Sequence, residues 1–231
     1  MTGTPDDIKI SPTPSRWLAV IEAVAISPND ARELVTAMRR NRQRTHPSEN
    51  ASITADKVAD AIIKRYAKLA MFFGAVTALP GTIPGVGTMV AVIGGGAVDL
   101  TATMKLQVDM CRCLAECYGH DLKTEDAKHL TMLIAFAGTI EQAAGPATVK
   151  VGSRAGVKMI QQYLKGSALQ TLKQMLRTIG VNFTRKSMEK AIPFGVGAAV
   201  GSSINYGLTR YVGRSAKAFF LISSKEFEAA N

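Results

Sequence analysis

Between Leu69 and Val98 the chain runs thirty residues without a charged side chain, and Pro80-Gly81 and Pro84-Gly85-Val86-Gly87 break that run in its middle. An unbroken run of this length would span a bilayer, whose hydrocarbon core of about 30 Å needs about 20 apolar residues in one helix. The breakers leave two shorter pieces, Leu69 to Leu79 and Thr88 to Val98. At about 1.5 Å of rise per residue each is about 16 Å long, too short to cross alone. The segment therefore predicts an apolar helical hairpin with a Pro/Gly turn, either buried inside a helical core or dipped partway into a bilayer.

A chain of 231 residues has ample length to bury a core. No stretch alternates with period two, so the reading is all-α: a multi-helix bundle around the Gly/Pro-interrupted apolar hairpin. Residues 1–14 are polar and expected to be disordered, with a short amphipathic helix from Ser15 to Ile26 bearing Trp17. Ser27-Pro28 supplies a serine N-cap and a proline at the first position of the next helix, running to about Arg42. Thr45 to Ser52 reads as a linker and Thr54 as the cap of the helix entering the hairpin. The domain division expected is a helical extension and linker over 1–50 and a helical domain over 51–231.

The helix from Asp99 to Tyr118 carries Lys105, Asp109, Arg112 and Glu116 at spacings of 4, 3 and 4. Alternating charge at that spacing predicts one solvated stripe, opposite an apolar stripe of Leu100, Met104, Val108, Cys111, Ala115 and Tyr118. Gly119 is placed to end the helix, and Asp121 or Thr124 to start the next. The final uncharged run, Ala191 to Thr209, has small residues spaced for close helix approach.

The net charge of +10 lies in one half. Residues 1–149 hold 15 basic and 15 acidic side chains, whereas residues 150–231 hold 13 basic and 3 acidic. Lys150, Arg154 and Lys158, and later Lys173 and Arg177, line basic helical faces. Such faces point to an anionic partner, either a phospholipid surface or nucleic acid. Nucleic acid rests on charge alone, because no aromatic interleaving, zinc framework or helix-turn-helix pattern accompanies it.

The candidates for chemistry are few. Asp109, Cys113, Cys117 and His120 would span about 16 Å along one helix, too far to close on one metal ion. No metal or other cofactor is therefore expected. The glycines at 94–96 follow no strand and precede no Gly-Lys-Ser/Thr, so no nucleotide loop is read. Asp99 has two readings: an N-cap, or a buried carboxylate forming a polar pair or ligand site with Asn205 or Lys190. Cys111, Cys113 and Cys117 are too clustered for a disulfide framework. With a polar start and no signal peptide pattern, they suit a reducing compartment.

Four stretches, in this order, resemble the EcsC family of bacterial proteins. They are Ile93-Gly94-Gly95-Gly96 leading into Val98-Asp99-Leu100; the turn Tyr118-Gly119-His120-Asp121; Lys190-Ala191-Ile192-Pro193; and Gly195 through Gly201-Ser202-Ser203-Ile204-Asn205-Tyr206. The likeness covers roughly residues 55–221. The family pattern often has an aromatic residue where His120 stands. The resemblance implies a helical protein acting at or near the cytoplasmic face of the membrane, against anionic lipid or a membrane protein, with no catalytic set to carry over. The alternative expectation is a soluble enzyme or ligand-binding domain in which Asp99, His120 and Asp121 converge.

Overall fold

A computed structural model describes residues 21–76, 98–144, 150–165 and 197–230. Helical residues 21–24 come first. Six helices follow: α1 (Pro28–Thr45), α2 (Ala51–Val76), α3 (Val98–Cys117), α4 (Glu125–Ala144), α5 (Arg154–Lys165) and α6 (Gly197–Ala230). The described residues contain no strand, so the all-α reading holds. Trp17, the Pro/Gly breakers at 80–87, the break at Gly145-Pro146, and Lys173, Arg177 and Lys190 lie outside the described residues.

Local chemistry sets the helix ends. Ser27 caps α1, its hydroxyl accepting from the Asp30 amide, and Pro28 occupies the first turn. Asn50, not Thr54, caps α2: its side chain accepts from the Ile53 amide at 2.8 Å. Thr54 lies inside the helix and is buried. Thr124 caps α4 by accepting from the Ala127 amide at 3.2 Å, while Asp121 holds the turn ahead of it. Gly119, at φ 82°, takes the left-handed conformation that ends a helix and that residues with a Cβ rarely adopt.

The described residues hold most of the first arm of the apolar run. Residues 69–76 are the last two turns of α2, a helix of 26 residues. Ala70 is buried and Phe72 is 57% exposed. The turn and the second arm, up to residue 97, lie outside the described residues. No described helix is long and apolar enough to cross a membrane. The final helix continues to Ala230, far beyond Thr209.

Helix α3 is the axis of the fold. It packs against α1, α2, α4 and α6, and between residues 102 and 117 only Lys105 and Glu116 escape full burial. Helix α4 returns antiparallel to it, placing Thr139 Oγ1 2.9 Å from Gln107 Oε1. Helix α6 runs antiparallel to α2: Lys217 bonds Asp56 (2.8 Å) and Asp60 (2.7 Å), and Gly213 faces Ile63 farther along. The core continues through Phe136, Ile134, Phe219 and Phe220, and α5 adds Val157 and Ile160 from outside.

Gly213 marks the tightest crossing. A Cβ there would sit 2.8 Å from Met110 Sδ and 2.9 Å from Ile63 Cγ1, so α6 reaches α2 and α3 only because the position has no side chain. Gly207 lies on the same helix with nothing within 4 Å of a Cβ. Alanine normally favours a helix by about 0.5–1 kcal/mol over glycine, whereas overpacking costs about 1–3 kcal/mol. Gly213→Ala is therefore expected to lower the melting temperature and Gly207→Ala to raise it, as read by circular dichroism on heating.

Candidate functional site

The charges of α3 do not form a solvated stripe. Asp109 and Arg112 are each 2% exposed, because the segment 21–45 lies over them. At residues 25–27 the chain passes from the first helical turns into α1, and the Asp30 amide is taken by the Ser27 cap, so the peptide groups at Ile26 lack helical partners. Asp109 Oδ1 accepts from the Ile26 amide at 2.7 Å, and Arg112 donates to the Ile26 carbonyl at 2.8 Å. Arg112 also bonds Glu22 at 2.6 Å, and Lys105 pairs with Asp109 from one turn away.

The ladder continues down the helix. Arg32 of α1 bonds Glu116 at 3.0 Å, and Arg39 donates at 2.6 Å to the carbonyl of Cys117, where a helix leaves its last acceptors unpaired. Successive turns of α3 are thus joined to residues 22–39. This overturns the solvated reading of Lys105, Asp109, Arg112 and Glu116. Helix α1 packs against both α2 and α3. Burial pushes the Asp109 carboxyl upward, while Lys105, the Ile26 amide and Arg112 pull it back toward the charged form.

The turn after α3 is built as expected but is not a catalytic cluster. His120 packs against Phe220, ring centroids 5.0 Å apart and tilted by 58°. Its Nε2 and the Tyr118 hydroxyl are buried without a hydrogen-bond partner among the described residues. Asp121 turns outward to the Lys123 amide and lies 4.0 Å from Arg32. Asp99 belongs to the opposite end of α3, which at 20 residues is about 30 Å long. Asp99, His120 and Asp121 therefore do not converge on one pocket. The helical backbone already includes Asp99, and Asn205 is half-buried on α6. The side chain of Asp99, and with it the proposed pair, falls outside the described residues.

The thiols are placed for packing. Cys111, Cys113 and Cys117 are all buried and free. Burial raises all three, Cys113 and Cys117 to about 12, so little reactive thiolate exists near neutral pH. Cys113 Sγ lies 3.6 Å from the Tyr66 hydroxyl, itself raised by burial. Among the described residues no three His, Cys, Asp or Glu side chains could hold a metal ion.

The basic residues divide. Lys150, Arg154 and Lys158 are all exposed. Lys150 precedes α5 rather than lying on it: the Ser153 hydroxyl donates to the Lys150 carbonyl and accepts from the Gly156 amide, which starts the helix at Arg154. The exposed face thus joins one turn of chain to the first turns of an amphipathic helix, with Val157 and Ile160 buried behind it.

With this geometry in view, a model of the EcsC protein family matches residues 30–222. The chain belongs to the EcsC family. The match begins within α1, in agreement with the charge ladder that ties α1 to α3. Comparisons with curated proteins and with solved structures returned no match.

His120 gives a prediction with a definite sign. Burial lowers its pKa below the ordinary value, with the Phe220 backbone opposing. The unfolded chain, titrating near about 6.5, then binds the proton more readily than the folded one. Stability from this residue is present above that pH and is lost as pH falls through it. His120→Phe keeps a ring against Phe220 and removes the unpaired nitrogen. It should shrink the loss of stability between pH 7.5 and pH 5.5 in urea denaturation, relative to the parent protein.

Proposed function

We propose that this EcsC-family protein is a peripheral membrane-surface protein that holds to anionic phospholipid through its basic carboxy-terminal half. The observation that carries this reading is the exposed face of Lys150, Arg154 and Lys158, beside an amphipathic helix whose apolar side faces the protein. Lys173 and Arg177 add to the same charge, and the excess of +10 resides entirely in residues 150–231. A cation near an anionic leaflet contributes about 1 kcal/mol, so a handful of them supports reversible attachment. The exposed Phe72 ring, where α2 enters the apolar run, adds an apolar side chain of the kind that surface-bound helices bury at the boundary between headgroups and acyl chains. On this reading the protein acts on the cytoplasmic face of the membrane, as an accessory or interaction protein. A membrane protein with an acidic surface is the other partner of fitting chemistry.

The test is sedimentation with vesicles of phosphatidylcholine alone or mixed with phosphatidylglycerol. The protein should pellet with the anionic vesicles and be released by high salt. The variant Lys150→Gln/Arg154→Gln/Lys158→Gln should bind about a hundredfold more weakly. Equal binding to neutral and anionic vesicles would refute the reading. Salt-sensitive retention of nucleic acid without vesicle binding would move the partner to nucleic acid.

A further inference from the structure

A groove of about 370 Å³ opens between α2 and α6, lined by Asp60, Ile63, Lys64, Tyr206, Arg210 and Arg214. Its size falls in the range of small-molecule sites, about 300–1,000 Å³. The floor is the buried Ile63 side chain, and the walls are cationic. Its one carboxylate, Asp60, is already bonded by Lys217 at 2.7 Å. Among the described residues no carboxylate pairs with Lys64, Arg210 or Arg214.

Two details show that the cations are arranged rather than scattered. Arg210 and Arg214 are one turn apart on α6, a like-charge spacing that works against the helix unless an anion lies between them. Arg210 also donates to the Tyr206 hydroxyl at 3.3 Å. A hydroxyl has one proton to give, so with Arg210 supplying its incoming bond Tyr206 keeps its own O–H for a ligand. Two guanidinium forks, an ammonium and a phenol around an apolar floor suit a tetrahedral, doubly charged oxyanion.

We infer that the groove between α2 and α6 is a binding site for a phosphate group, held by Arg210, Arg214, Lys64 and Tyr206. The site lies on other helices than the α5 face, so it stands or falls separately from surface attachment. The same chemistry is offered by a phosphorylated small molecule and by the phosphomonoester headgroup of a lipid. Phe72 lies two turns beyond Lys64, at the same i+4 spacing as the exposed Lys68, so an acyl chain leaving the groove would meet an aromatic side chain.

The experiment titrates the full chain with inorganic phosphate by calorimetry and, separately, sediments it with phosphatidylcholine vesicles doped with phosphatidate or, at equal charge, phosphatidylglycerol. Arg210→Gln/Arg214→Gln and Lys64→Gln change exposed side chains and are checked for unaltered melting. The α5 triple glutamine variant serves as the control. Two results support the site: saturable phosphate binding that falls about tenfold or more in the groove variants and survives in the α5 variant, or a preference for phosphatidate over phosphatidylglycerol vesicles of equal charge that the groove variants lose and the α5 variant keeps. If only phosphate shows this pattern, the ligand is soluble; if only the phosphatidate vesicles do, it is a lipid headgroup. Either result supports the inference. Absence of both saturable phosphate binding and a phosphatidate preference, or groove variants that bind like the parent, would overturn it, whatever the α5 variant does on phosphatidylglycerol.

Discussion

Taking Asp109 and Arg112 out of water in the middle of a helical bundle is unfavourable unless nearly every charged atom finds a partner. Here the partners come from the chain's own early residues. The interrupted backbone at Ile26 offers one amide and one carbonyl, and Asp109 and Arg112 take one each. Glu22 accepts from the guanidinium's Nη2, leaving only Nε of Arg112 buried without a partner among the described residues, and Arg32 and Arg39 close the next turns of α3. The arrangement explains why α3 is central although it carries four charges between residues 102 and 117: α2, α4 and α6 cover its apolar faces, and residues 21–45 cover the charged one. The remaining packing, including the close passage of α6 at Gly213, is built around that axis.

Much of the fold was legible in the residues, and its failures have physical causes. The cap at Ser27-Pro28, the left-handed end at Gly119 and the Thr124 start follow from local hydrogen bonding, which travels with the sequence. The α3 stripe misled because i,i+4 charge alternation describes an exposed helix and an ion-paired interface equally well. What would have separated them is the complementary set Glu22, Arg32 and Arg39, yet pairing across some 80 residues has no spacing rule. Thr54 was read as a cap because its residue type is right, but Asn50 sits four residues earlier and does the work. Asp99 and His120 stand at opposite ends of the 20-residue α3, a separation set by helix length rather than by any motif.

The two candidate binding regions had different legibility. The basic face at Lys150, Arg154 and Lys158 was visible as a charge pattern within one segment. The α2–α6 groove was not, because Lys64 and Arg210 are 146 positions apart in sequence and become neighbours only through the antiparallel packing of long helices. Both regions lie on the outside of the described helices, whose interior holds buried thiols raised out of the reactive range and a histidine packed against a phenylalanine.

The charge ladder is tested most directly by equilibrium urea unfolding of Arg112→Met beside Arg32→Met. Arg112 is buried and holds a backbone carbonyl, so its loss should cost about 2–4 kcal/mol. Arg32 makes a half-exposed ion pair with Glu116, so its loss should cost far less. Equal, small losses for both variants would contradict the account, because α3 would then not depend on residues 21–45 for its place in the core.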